Sequence, residues 1–261
     1  MLRPPWKTVL SCLSIVAASH VGAQATACTP TSATLAAGIG QSDRVDMTAS
    51  PMQFGGRGLD LSGSFEQSRG AFCILATGRG GAKTLRAVTS SAASERLMDG
   101  DASIAVLRSF GGGEASTRAF AVGAEARGTL AVTRHAYADF GQTVSSFRLG
   151  MVSLGPVLRW RERIGGGFAM AQLSSPAIAA VDHPYSSVIT DGASRNVRVA
   201  SVNSLRGADL RVAYEPFAYR SMSLRATYNA SVFRYDDASP VRSLTQSLNL
   251  GIVKRLAGGL L

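Results

Sequence analysis

Between residues 117 and 135 apolar and polar side chains alternate one by one. Phe120, Val122, Ala124, Ala126, Leu130 and Val132 interleave with Glu125, Arg127, Thr129, Thr133 and His135. A period of two sorts residues onto opposite faces only in an extended strand, never in a helix. The same alternation returns four times. Leu59, Leu61 and Phe65 stand against Asp60, Ser62, Ser64 and Glu66, and Ala208, Leu210, Val212 and Tyr214 against Asp209, Arg211, Ala213 and Glu215. Met222, Leu224, Ala226, Tyr228, Ala230 and Val232 stand against Ser223, Arg225, Thr227, Asn229 and Ser231, and Leu244, Leu248, Leu250 and Ile252 against Ser243, Thr245, Ser247 and Asn249.

Weaker segments complete the set. Residues 70–79 read as a strand with a mixed inner face (Ala71, Cys73, Leu75, Thr77, Arg79), 101–110 as a short strand, and 166–176 as an ambiguous segment. In 143–161 the phase changes: Phe147, Leu149 and Met151 share one parity, and Leu158 and Trp160 the other. Gly155-Pro156 between them predicts a bulge. Ala33–Gln41 supplies a first strand. The class is all-β, with ten strands, or eight if the weaker segments are loops.

The 261 residues are 46% hydrophobic, which excludes a disordered chain and suffices for one domain with its own core. No run approaches the roughly 18 apolar residues of a spanning helix. The start, Met-Leu-Arg-Pro-Pro-Trp-Lys, followed by a short apolar stretch and the small residues Val21-Gly22-Ala23, reads as a secretory signal peptide over 1–23. Residues 24–261 then form one domain. Ala25-Thr26-Ala27-Cys28 is a weak lipobox alternative, without the usual large aliphatic residue.

Connections alternate in length. Glu66–Arg69, Gly111–Ser116, Glu162–Gly165 and Pro216–Arg220 are short. Gly80–Gly100, Ala136–Gln142, Ala177–Arg195 and Asp236–Val241 are longer or variable. Short turns at one end and long loops at the other are the asymmetry of a barrel crossing a membrane. A sheet facing lipid must close, because unpaired backbone groups find no water there. Aromatic residues near strand ends (Tyr214, Phe217 and Tyr219; Phe233 and Tyr235) suit the membrane interface.

On this pattern the chain resembles the small bacterial outer-membrane β-barrel proteins over roughly residues 33–257. The resemblance implies a closed antiparallel transmembrane barrel in the outer membrane, with lipid as its surroundings. Such barrels commonly end in an aromatic residue, whereas this chain ends Gly-Gly-Leu-Leu. A soluble secreted β-barrel binding an apolar ligand is the competing fold. It is disfavoured because the polar face holds Ser, Thr, Asn and Arg rather than Lys and Glu.

The charge excess is 27 Lys and Arg against 17 Asp and Glu, and only three of the cations are lysines. The arginines are scattered singly, without the clustered patch and stacking aromatics that nucleic acid requires. The strands instead place Asp60, Glu66, Glu125, Arg127, Arg148, Arg198, Asp209, Arg211 and Arg225 on the inner face. A barrel of eight to ten strands has little interior room, so paired Arg–carboxylate networks are expected there. The alternative is a narrow, arginine-lined pore for small anionic solutes.

Catalytic motifs are weak. His183 stands beside Asp182, Ser186 and Ser187, and His135 near Asp139, which would suit a hydrolase at the rim. Gly78–Thr84 lacks the spacing of a phosphate loop, and Asn229-Ala230-Ser231 lies within a strand. Three dispersed cysteines support no metal site, while Cys28 and Cys73 are free to pair in an oxidising compartment or to remain thiols. The sequence therefore predicts an outer-membrane barrel of structural or narrow-pore type, without cofactor or metal, and not an enzyme. A rim hydrolase is the alternative, and the loops are candidate sites for a partner.

Overall fold

The computed structural model describes residues 31–47, 50–90, 92–110, 117–137, 143–183, 197–216, 218–219, 221–236 and 240–256. The leader, Cys28, Asp139, Ser186 and Ser187 lie outside these residues. The described elements are all strands: β1 (Ser32–Asp46), β2 (Ser50–Arg69), β3 (Phe72–Ala87), β4 (Ala93–Phe110), β5 (Arg118–Tyr137), β6 (Thr143–Ile164), β7 (Gly167–Ser174), β8 (Ile178–Asp182), β9 (Val197–Ser201), β10 (Leu205–Glu215), β11 (Ala218–Tyr219), β12 (Met222–Tyr235) and β13 (Val241–Arg255).

Each strand pairs antiparallel with its neighbours, and β1 pairs with both β2 and β13, so the sheet closes. β7 and β8 form one stave and β9 and β10 another, giving a barrel of ten staves. The hydrogen-bond ladder shows how the strands tilt. Starting at Arg57 it passes through Gln41, Gln246, Ala230, Leu210, Leu173, Leu158, Val122, Arg108 and Phe72. It re-enters β2 at Arg69, a displacement of twelve residues, from 57 to 69. Such a stagger tilts the strands steeply against the barrel axis.

The tight turns lie at the end where β1 begins, here the lower end. Gly70 and Gly165 adopt φ of 56° and 59° there, the left-handed region that glycine enters without steric cost. At the upper end Gly80–Gly100 is not a loop. β3 continues to Ala87 and β4 starts at Ala93, with Lys83 opposite Leu97 and Arg79 opposite Asp101.

β6 also differs from expectation. Its pairing with β5 is continuous through Gly155 and Pro156, with no bulge there. The irregularity lies on the facing stave, where Ser175-Pro176-Ala177 separates β7 from β8 and proline interrupts the ladder. Gly155 makes this possible: a Cβ there would stand 1.9 Å from the Ser175 carbonyl oxygen. The apparent phase change has a different origin. Leu149, Met151, Val157 and Arg159 all point inward on one parity, and it is the chemistry of the inner face that changes along the strand.

Outside, Leu35, Ile39, Leu59, Leu61, Ile104, Val122, Leu154, Leu224, Leu250 and many like them are exposed and form an apolar belt. Phe72, Phe110, Phe120 and Tyr214 edge it below. At the upper end Tyr235 is buried and turns inward, with Phe233 packed against the same core, so neither edges the belt.

Candidate functional site

The barrel interior has three levels. The upper level is an apolar cluster containing Phe54, Leu85, Leu97, Leu149, Met151, Val181, Leu205, Tyr235 and Val241. Inward-facing residues from almost every stave contribute to it. Beside it sits a group of titratable side chains. Arg44 Nη2 donates to Asp46 Oδ2 at 2.8 Å, and His183 Nε2 stands 3.4 Å from the same oxygen. Glu95 and His135 are buried nearby, the His135 ring edge-on to Phe54 at 5.2 Å.

These groups lie above the apolar belt, which on β4 ends at Met98 and on β5 at Val132. Burial pushes the Glu95 carboxyl up to about 7. Burial also holds the His135 imidazole below its ordinary value, with the Arg44 charge adding to the effect. For Asp46 burial acts upward, but the His183 contact and Arg44 outweigh it and keep the carboxyl below the usual range.

The middle level is charged. Arg79 donates to Asp101 Oδ1 through both Nε, at 3.0 Å, and Nη2, at 2.6 Å. Lys83 Nζ, fully buried, donates to Asp99 at 2.6 Å and 2.7 Å. Arg127 joins Glu125, at 3.1 Å, to Asp209 and Ser174. Asp60 stands beside Lys83 and Arg79. A cavity of about 110 Å³ remains here, bordered by Asp60, Arg79, Asp99, Asp101, Glu125, Arg127 and Asp209. That is space for a few water molecules.

At the lower level the balance reverses. Arg159, Arg161, Arg211 and Arg225 face Glu66 and Glu215. Arg159 donates to Glu66 at 2.8 Å, and Arg225 and Arg255 share Glu215 at 3.0 Å and 2.8 Å. The Arg161 guanidinium lies 4.0 Å over the Phe168 ring. The opposite wall is apolar, built from Leu75, Ala105, Leu107, Ala121, Val157 and Cys73, whose sulfur is disulfide-bonded.

The structure brings Asp60, Glu125, Arg127 and Asp209 together in the middle level and places Arg211 and Arg225 in the lower one. It does not bring Arg148 into the lumen. Arg148 lies on the outer face, half exposed, and pairs with Asp182. Its neighbours Leu149 and Met151 turn inward into the upper cluster, which forces it out. Arg198 shares the inward parity of Ala200 and lies opposite Val181, exposed near the top of the β8–β9 hairpin. Asp182 and His183 therefore point to opposite faces, so the partner of His183 is Asp46 and not Asp182. Nor is the lumen uniformly rich in arginine: its middle level holds five carboxylates, Asp60, Asp99, Asp101, Glu125 and Asp209, against Arg79, Lys83 and Arg127.

No protein-family model matches the chain, and no curated protein is similar to it in sequence. Solved structures share its fold. The outer-membrane protease OmpT from Escherichia coli superposes with a TM-score of 0.55 at 8% identity, over 90% of this chain and 99% of that one. The fold is that of the small bacterial outer-membrane β-barrel proteins. Matches of lower TM-score include Ail of Yersinia pestis (0.36; 12% identity; 86% and 99% of the two chains) and the translocator domain of NalP from Neisseria meningitidis (0.38; 10%; 96% and 92%).

For a barrel of this kind, the residues that sequence reasoning left out are Arg44, Asp46, Lys83, Glu95, Asp99, Asp101, Arg159 and Arg161. Lys83, Glu95 and Asp99 were hidden by reading Gly80–Gly100 as a connection. The signal was present in the alternation of Lys83, Leu85 and Ala87 with Thr84 and Arg86, but with apolar residues on the inner parity.

Proposed function

We propose that the chain is a non-conducting outer-membrane β-barrel, a scaffold that presents its upper rim and loops rather than a pore. One observation carries this reading. The large apolar side chains project outward around the belt, while the bore is filled by an apolar cluster above, ion pairs in the middle and an arginine–glutamate network below. A soluble ligand-binding barrel would carry the opposite arrangement, with its large apolar residues around an internal cavity. Ion pairs inside the bore replace the hydration that a pore would give these charges, and each pair removed leaves a buried charge.

Planar-bilayer recording with the purified chain tests the reading. The expected trace shows no steps above background, while the same preparation shifts between unboiled and boiled lanes on an SDS gel, as a closed barrel does. Reproducible unitary steps in the wild-type chain would overturn the closed-bore reading.

A hydrolase at the rim is the second reading, favoured by the buried His183–Asp46 contact with Glu95 nearby and consistent with a fold that also houses a protease. It is the weaker one, because Arg44 occupies the Asp46 oxygen that would orient the imidazole. His183→Ala in a chain showing any peptide or ester hydrolysis would abolish that activity if this reading holds.

A further inference from the structure

We infer that the outer face carries a phosphate-binding girdle, built from arginines, that docks the headgroups of phosphate-bearing lipids in the outer leaflet. The inference rests on the membrane reading proposed above. Among the described residues, eight arginines point outward near the upper edge of the apolar belt. On several strands the arginine is the first outward residue past the last apolar one: Arg57 beyond Leu59, Arg96 beyond Met98, Arg134 beyond Val132 and Arg242 beyond Leu244. These positions, with Arg206 and Arg234, all lie in the upper halves of their strands.

Their pairing is unusual for a sheet. Arg234 lies directly opposite both Arg206 and Arg242, and Arg96 directly opposite Arg134. Like charges facing each other across a ladder repel. The carboxylates at this height do not compensate. Asp182 pairs with Arg148 and Asp236 with Arg234, whereas Asp43 forms no ion pair among the described residues. Arg57, Arg86, Arg96, Arg134, Arg206 and Arg242 likewise form none. An anion held between facing guanidinium groups turns the repulsion into attraction. Phosphate suits the arginine fork, which binds it through two parallel hydrogen bonds. The position fixes the source: these side chains stand where apolar surface gives way to polar, the depth at which lipid headgroups lie.

The test uses the full mature chain reconstituted into vesicles of phosphatidylcholine, with or without phosphatidic acid of the same acyl length. Thermal unfolding and lipid retention by native mass spectrometry are the readouts. The expected result is a higher melting temperature with phosphatidic acid, reduced by 0.5 M salt. Apparent phosphatidic acid affinity should fall about tenfold or more in each of the double variants Arg96→Gln/Arg134→Gln and Arg206→Gln/Arg242→Gln. Both variants should keep the gel shift of the closed barrel, which separates lost binding from lost folding. Equal stability of the wild type in the two vesicles overturns the girdle, as does full retention of the lipid effect in both variants. Inorganic phosphate reproducing the effect in phosphatidylcholine alone would reduce the girdle to a free-ion site and overturn lipid docking. A chain that enters neither vesicle and stays soluble instead overturns the membrane reading.

Discussion

The lower part of the barrel and its upper collar use the same strands with opposite polarity. On β5, Phe120, Val122 and Leu130 point outward while Glu125 and Arg127 point inward; a few residues further up, Ala131 is inside and Arg134 outside. On β3, Ile74 is outside and Lys83 inside, but above them Leu85 and Ala87 are inside and Arg86 outside. The side-chain period never slips. What reverses is the solvent: a sheet with apolar surroundings and a polar interior becomes one with polar surroundings and an apolar interior. The upper collar is built as a water-soluble β-barrel, the lower part as a membrane one.

The comparison is open to breaking at several points. The largest effect is expected at Glu66→Ala in the lower level. It leaves Arg159, 1% exposed, without its carboxylate, and destabilises the barrel by about 3–5 kcal/mol in urea unfolding from detergent. Phe54→Ala in the collar removes a core ring and costs about 3–4 kcal/mol, read the same way. Leu61→Arg places a charge on the lower outer face and costs about 2–4 kcal/mol in lipid. The collar already bears arginine on that face, so Thr84→Arg should be nearly neutral there. If the two arginine substitutions cost the same, the polarity reversal does not track the solvent.

Glu95 sharpens the contrast through pH. Its carboxyl titrates near 7 in the folded chain and near 4.5 when exposed, so the folded state holds a proton that the unfolded state releases between those values. The Glu95 contribution is therefore fully present below pH 4.5 and lost as pH rises through 7. Glu95→Gln should flatten the fall in melting temperature from pH 5 to 8. The smallest effect is expected for Arg148→Ala. This surface pair with Asp182 is half solvent-exposed, and its loss should change stability by less than about 1 kcal/mol.

The reversal also explains what was legible in the sequence. Most staves could be read from period-two alternation, because along most of the lower barrel large apolar residues point outward and polar ones inward. The rule fails where the collar begins. Leu149 and Met151 looked like outward residues because large apolar side chains mark the outer face below. Arg148 was then assigned to the lumen and a bulge to Gly155-Pro156. The same assumption turned the collar halves of β3 and β4 into a loop and concealed Lys83, Glu95 and Asp99. The Asp46–His183 contact had no local signal, since the two residues are 137 positions apart and meet only through closure of the sheet.

That closure has a kinetic side. The seam is the fifteen-residue pairing of β1 with β13, the first and last described strands of the chain. Every other adjacent pair of staves can zip as a hairpin while the chain is still emerging, but this one must wait until Val241–Arg255 is present. Joining the ends of so long a loop is slow on entropic grounds. Until they join, β1 offers an unpaired edge able to recruit strands from other chains. A chain shortened by its last strand would thus be more than a weakened barrel: it would carry two permanently open edges and tend to aggregate.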